Sequence, residues 1–261
     1  MLSLTDLSET LVLIAMAGTV VLLLMSLMQG AGDRLLRALV VVAALVALPY
    51  APSALAADDH DEQVHFATSS GLHFYAGSEV EVSGFAEDLF AAGGEVDVES
   101  LTSSVMVVAG GDVSANNIET DRAILAGGNV EVGGIINRHL IAAGGHIDVR
   151  DGTQVRGDVV LAGGQLSFDG MVDGDFIAAG GDVELAGEIG GNANIRSSSI
   201  KIAPGTAIAG NLTYSSPDEL TLAPDVTVAG AITREVWEGD DSRFLDDIGV
   251  GGIIAIATAA I

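Results

Sequence analysis

The sequence predicts an all-β protein: a single-stranded β-helix (β-solenoid) of about nine coils, flanked by N- and C-terminal hydrophobic helices. Three observations carry this prediction. Glycine makes up 34 of 261 residues, roughly twice the usual ~7%, while 49% of residues are hydrophobic and only 4% aromatic. Gly-Gly pairs begin at Gly93, Gly110, Gly127, Gly144, Gly163 and Gly180, at spacings of 17, 17, 17, 19 and 17 residues. Around each pair the apolar residues recur with the period of two that belongs to strands. A chain that buries Val, Ile, Leu and Ala with few rings and many glycines is repetitive β structure, and it is too apolar for a disordered tail.

From the N-terminus, residues 1–56 form a hydrophobic leader. Leu11 to Met28 is an uncharged run of 18 residues, the lower limit for a membrane helix. Arg34 and Arg37 then precede an apolar run from Ala38 to Leu48, which ends in Pro49, Pro52 and Ser53-Ala54-Leu55-Ala56. A basic start, a short apolar stretch and small residues before the cut make residues 28–56 a signal peptide, cleaved after Ala56. Residues 1–27 are then either a first membrane helix or untranslated sequence upstream of a start at Met28. On both readings the arginines stay in the cytoplasm and the body of the protein is exported. Residues 57–71 are an acidic linker, in which Asp58-Asp59-His60-Asp61-Glu62 reads as a solvated leader, not a metal site.

Residues 72–233 are the repeat domain. Immediately before each glycine pair stands an alanine: Ala92, Ala109, Ala126, Ala143, Ala162 and Ala179. Two residues before that stand Phe90, Val107, Ile124, Ile141, Val160 and Ile177. Beyond the pair come Val96, Val113, Val130, Ile147, Leu166 and Val183, and two residues further Val98, Ala115, Val132, Val149, Phe168 and Leu185. The expected core ladder is the alanine column together with the column starting at Val96. The corner glycines are Gly93, Gly94, Gly110, Gly111, Gly127, Gly128, Gly144, Gly145, Gly163, Gly164, Gly180 and Gly181. They supply either a positive φ or room for close backbone approach, and the alanine is expected to fit a narrowing interior. Like residues then stack between coils about 4.8 Å apart. A second motif, Gly-x-Val-x-Gly-Asp/Asn, recurs at Gly152–Val159, Gly170–Phe176 and Gly205–Asn211; the last coils carry Ser197-Ser198 and Ser215-Ser216 near the place of the glycine pair. Residues 234–247 form a second acidic linker. The uncharged residues 248–261 are expected to be the start of a C-terminal membrane segment, cut short.

Composition narrows the function. With 36 acidic and 10 basic residues, a formal charge of −26 excludes nucleic acid as a partner. Without cysteine there is no disulfide, thiolate zinc site, iron–sulfur cluster or cysteine nucleophile. Glu95 and Asp112, and Asp97, Glu131 and Asp148, fall in outward columns. These predict a solenoid stabilised by salt and able to hold divalent cations diffusely. A specific calcium repeat needs Gly-Gly-x-Gly, and here the residue after x is always Val, Ile or Leu. Of His60, His65, His73, His139 and His146, only His139 could face a cleft, and it reads as a solvated strand residue. No catalytic, cofactor or metal-binding residue is assigned. Phe74 and Tyr75 either cap the first coil or form a contact between copies, and Trp237 either caps the last coil or sits at a membrane interface.

The Ala-Gly-Gly-x-Val-x-Val ladder, the coil length near 17 and the Gly-x-Val-x-Gly-Asp/Asn motif resemble the bactofilins, the polymer-forming bacterial cytoskeletal family, over about 160 residues. The resemblance implies a right-handed β-helix that joins end to end into a homopolymer, with no catalysis and no nucleotide. Typical bactofilins are cytoplasmic; this chain looks like an exported variety, its β-helix periplasmic or at the cell surface and held at the membrane by hydrophobic ends. The competing expectation is an exported monomeric β-solenoid that binds cations or carbohydrate.

Overall fold

The structure, a computed structural model, describes residues 63–69 and 71–236. The leader with its cleavage after Ala56, Asp58 to Glu62, Trp237 and the segment 248–261 lie outside the described residues, as do the flanking helices expected there. What is described contains no helix. Its elements are β1 (Val64–Ala67), β2 (Leu72–Phe85), β3 (Asp88–Val155), β4 (Val159–Val172), β5 (Phe176–Ile189), β6 (Ala193–Ile202), β7 (Ala207–Ile208), β8 (Leu212–Ser215), β9 (Thr227–Val228) and β10 (Ile232–Glu235).

These elements wind a β-solenoid of about ten turns. The periodicity counted about nine, and the tenth is the part-coil opened by β10. Successive coils pair in parallel, with like residues opposite one another: Ala76↔Ala92, Gly77↔Gly93 and Val80↔Val96, then Ala143↔Ala162 and Ile147↔Leu166, then Ala162↔Ala179 and Leu166↔Val183. β3 runs for 68 residues through successive coils, because its backbone stays in strand pairing through the glycine corners.

None of the twelve corner glycines has a positive φ. Close approach is the reason for them. A Cβ on Gly163 would lie 2.1 Å from the Gly144 carbonyl oxygen, and one on Gly111 would lie 2.8 Å from that of Gly94. The first glycine of each pair also faces inward: a Cβ on Gly93, Gly110 or Gly127 would come within 3.1–3.2 Å of a methyl carbon of Val80, Val96 or Val113 in the coil before.

The column from Val96 to Val183 lies in the core, with Val96, Val130 and Ile147 no more than 1% exposed. The alanine column does not lie there. Ala92, Ala109 and Ala126 are half-buried and Ala143, Ala162 and Ala179 buried, but all six stay outside the core cluster. The interior narrows at the first glycine, and the alanine beside it points outward. The true inward positions before each pair are one residue out of step: Leu89 and Ala91, Ala123 and Leu125, Leu140 and Ala142, Phe176 and Ala178, Ala193 and Ile195. In these coils a small member is paired with a large one, while Met106 with Val108 and Val159 with Leu161 fill theirs with two larger side chains.

Two of the coils that exceed 17 residues share one kind of turn. The pairing shifts between Val149 and Thr153, where Gly152 has φ 80° and the Thr153 hydroxyl donates to the Arg150 carbonyl at 2.6 Å. The same turn recurs where Gly205 has φ 84° and the Thr206 hydroxyl donates to the Ala203 carbonyl at 2.7 Å. Both threonines are fully buried, so the inserted residues stay outside and the core is undisturbed.

Candidate functional site

The two ends of the solenoid differ. At the N-terminal end β1 pairs antiparallel with β2, placing His65 opposite Tyr75 and Phe66 opposite Phe74. The His65 and Tyr75 rings stack at 4.2 Å, and His65 Nε2 lies 3.2 Å from His73 Nδ1. His73 and Tyr75 are in register with the inward Leu89 and Ala91, and Tyr75 packs against the end of the core. Burial raises the Tyr75 phenol above its usual value. Phe74 points the other way, 40% exposed, and stacks on Phe90 at 5.1 Å. Past the end of β1 the side chain of Gln63 takes over the pairing: its Nε2 donates to the Glu81 carbonyl at 3.0 Å, and its Oε1 accepts the Glu81 N–H at 3.1 Å. An amide side chain thus stands in for one residue of a covering strand.

The C-terminal end has no such cover among the described residues. β10 pairs with β8 alone, and every residue from Ile232 to Glu235 is exposed. In the column to which Ile232 belongs, Phe176, Ala193 and Leu212 each give their N–H to the coil that follows, at 2.8, 2.8 and 2.9 Å. The Ile232 N–H therefore points at a coil position that none of the described residues fills. Beneath it the core is half open, with Leu220, Leu222, Val226 and Val228 only partly buried and Ile232 52% exposed. Arg234 holds the last turn, donating to the carbonyls of Ser216 at 3.0 Å and Pro217 at 2.6 Å.

Between the ends runs a side-chain ladder that the spacing did not reveal. Asp158 Oδ1 accepts the Asp175 N–H at 2.9 Å, Asp175 Oδ1 that of Asn192 at 2.7 Å, Asn192 Oδ1 that of Asn211 at 3.0 Å, and Asn211 Oδ1 that of Ala231 at 2.9 Å. The glycine before each receiving residue makes room. A Cβ on Gly174 or Gly191 would sit 2.4 Å from the carboxylate oxygen of the coil before. That is the physical content of the Gly-Asp/Asn motif. His139 is the top rung, its Nδ1 accepting the Asp158 N–H at 3.2 Å. The one histidine considered for a cleft is thus part of the scaffold.

The acidic columns are outward, and part of their charge is met. Asn129 Nδ2 donates to Asp112 at 2.6 Å, Arg150 pairs with Glu131 and donates to Asn116 at 2.8 Å, and Lys201 pairs with Glu184 at 2.5 Å. These pairs are exposed, so each contributes little. Glu79 stands opposite Glu95 and Glu81 opposite Asp97, an acid patch on the first coils. A groove of about 420 Å³ lies farther along, lined by Met171, Ile189, Ile208 and Val228 with Asp173 and Glu188 beside them. Its lining also includes Thr227, and no histidine. Among the described residues no group of three His, Cys, Asp or Glu is placed to hold a metal ion, and His65 with His73 is a pair only.

Compared with known proteins, the chain matches no family model, no curated protein and no solved structure.

Proposed function

We propose that the protein is a non-catalytic scaffold whose β-helix joins end to end with copies of itself, as the resemblance to bactofilins implies. Its terminal hydrophobic segments hold it at the membrane, with the β-helix outside the cytoplasm. The observation that carries the reading is the C-terminal edge, where among the described residues β10 has a partner on one side only, over a half-open core. An edge of this kind is either covered or used for assembly, because unpaired strand groups template another chain. The competing reading, a monomeric solenoid that binds cations or carbohydrate, draws on the acid patch at Glu79, Glu81, Glu95 and Asp97.

Electron microscopy and sedimentation of the full chain in mild detergent separate the two. End-joined filaments are expected. Ile232→Pro should shorten them, since it removes the outward N–H and leaves the pairing to β8 in place. A strictly monomeric species across salt and protein concentration overturns the reading.

A further inference from the structure

Two adjacent outward columns of the solenoid carry no charge over its first seven coils. They are the last two outward positions of the strand that leads into each glycine corner; the outward column before them holds Asp88, Arg122, His139, Asp158 and Asp175. The column that begins at Phe74 and Phe90 and ends at Ile177 forms a half-exposed ridge. The alanine column beside it, two residues along each strand, forms a groove. β1 extends the ridge by one more rung with Phe66, 60% exposed. The two columns end abruptly at the eighth coil, where Asn194 and Arg196 stand opposite Ile177 and Ala179.

From these features we infer that this apolar side is a lateral interface between two copies of the chain, packed face to face. Three observations select a second copy as the occupant. A ridge and a groove about 7 Å apart, repeated every ~4.8 Å, are complementary to themselves, because an inverted copy brings a ridge of the same period into each groove. The chain carries a formal charge of −26 and an acidic column just beyond each glycine corner. Two copies meeting by those columns repel, whereas the apolar side lets them approach without opposing carboxylates. Eight rungs at ~4.8 Å and about four residues of width give roughly 500 Å² per copy, or about 1,000 Å² for the pair. That is the lower limit for a specific interface. The pair is therefore weak alone and strengthened where copies are already joined end to end. Lateral pairing goes beyond the end-to-end contact and stands or falls separately from it.

The absence of cysteine provides the test. Single Val107→Cys and Ile124→Cys variants of the full chain, near the middle of the ridge, should give disulfide-linked dimers in isolated membranes under mild oxidation. Ser114→Cys and Ser167→Cys, on the acidic side, should not. Adding Ile141→Glu to Ile124→Cys should cut the dimer yield at least fivefold, with an unchanged circular dichroism spectrum as the folding control. Equal cross-linking from both sides overturns the inference. So does ridge cysteine that is shielded from a soluble thiol reagent by lipid yet forms no dimer, which would make the ridge a membrane contact. Filaments one solenoid wide, without ridge cross-links, would leave the end-to-end reading intact and remove this one. Cross-linked dimers without filaments would do the reverse.

Discussion

Coils one to seven and coils eight to ten share a plan but close their corners in different ways. In the first group glycine pairs let the strand run through the corner, giving β2, β4 and β5 of 14 residues and β3 of 68. In the second group the strands shorten to between 2 and 10 residues. Coil spacing grows to 19 residues from Ala193 to Leu212 and 20 from Leu212 to Ile232. Ser197 stands in register with Gly180, fully buried, and its hydroxyl donates to the carbonyls of Gly181 at 2.8 Å and Ser199 at 2.7 Å. The core continues across the boundary, since Ile195, Ile202, Ile208 and Leu212 are all buried. Core packing alone therefore does not require the glycine pair. What changes at the same coil is the outer face, from Ile177 and Ala179 to Asn194 and Arg196. Strict regularity goes with an apolar exterior, where a flat repeating surface has a use.

The largest test of this comparison is to exchange the corners. Gly163→Ala puts a Cβ against the Gly144 carbonyl, a backbone group that cannot swing aside as a side chain would. We expect a loss of about 3 kcal/mol, at the upper end of overpacking costs. Ser197→Ala, at the equivalent corner one coil beyond Gly180, loses two hydrogen bonds without a clash and should cost about 1–2 kcal/mol. Urea unfolding followed by circular dichroism reads both. Equal losses would mean that the two kinds of corner are not mechanically distinct.

The limits of the sequence reading follow from the same chemistry. After the glycine pair the strand is polar outside and apolar inside, so alternation identifies Val96, Val113 and Val130 as core. Before the pair both sides are apolar, as in Val105-Met106-Val107-Val108, and alternation cannot say which side is buried. The least variable column, alanine, was the natural choice for the interior and lies outside it. The inward column looks irregular because Ala123 and Leu140 are compensated within their own coils by Leu125 and Ala142. The Asp158 to Asn211 ladder was visible as a motif but not as an interaction, since a side chain bonding to the backbone of the next coil leaves no periodic partner residue.

That ladder offers a test intermediate in size, because it begins in the regular coils and ends in the irregular ones. Asp175→Ala leaves the exposed Asn192 N–H without its acceptor and should cost about 0.5–1.5 kcal/mol. Asp175→Asn keeps the acceptor oxygen and relieves the neighbouring Asp158 carboxylate, so its unfolding midpoint should match or exceed that of the unaltered chain. Hydrogen exchange at the Asn192 amide should quicken in the alanine variant only. If both variants lose stability alike, the ladder works through charge and not through the hydrogen bond.

The smallest effect expected is that of salt, and it too divides the molecule. On the first coils Glu79 faces Glu95 and Glu81 faces Asp97, with no base between them. On the seventh and eighth, Glu184 faces Lys201 and Asp182 faces Ser199. Two solvated like charges at this separation repel by up to about 1 kcal/mol, and raising salt from 0.1 M to 1 M shortens the screening length from about 10 Å to 3 Å. Sodium chloride should therefore raise the urea midpoint, chiefly through the N-terminal coils. Salt also strengthens apolar burial, so the midpoint of the unaltered chain alone does not decide the cause. Glu95→Gln does. It removes the repelled charge from the patch, so it should stabilise the chain at low salt and flatten the response to added salt. Glu184→Gln, which breaks the Lys201 pair, should have no such effect. A salt response of the same slope in Glu95→Gln as in the unaltered chain would assign the stabilisation to the core and leave the acid columns neutral to folding.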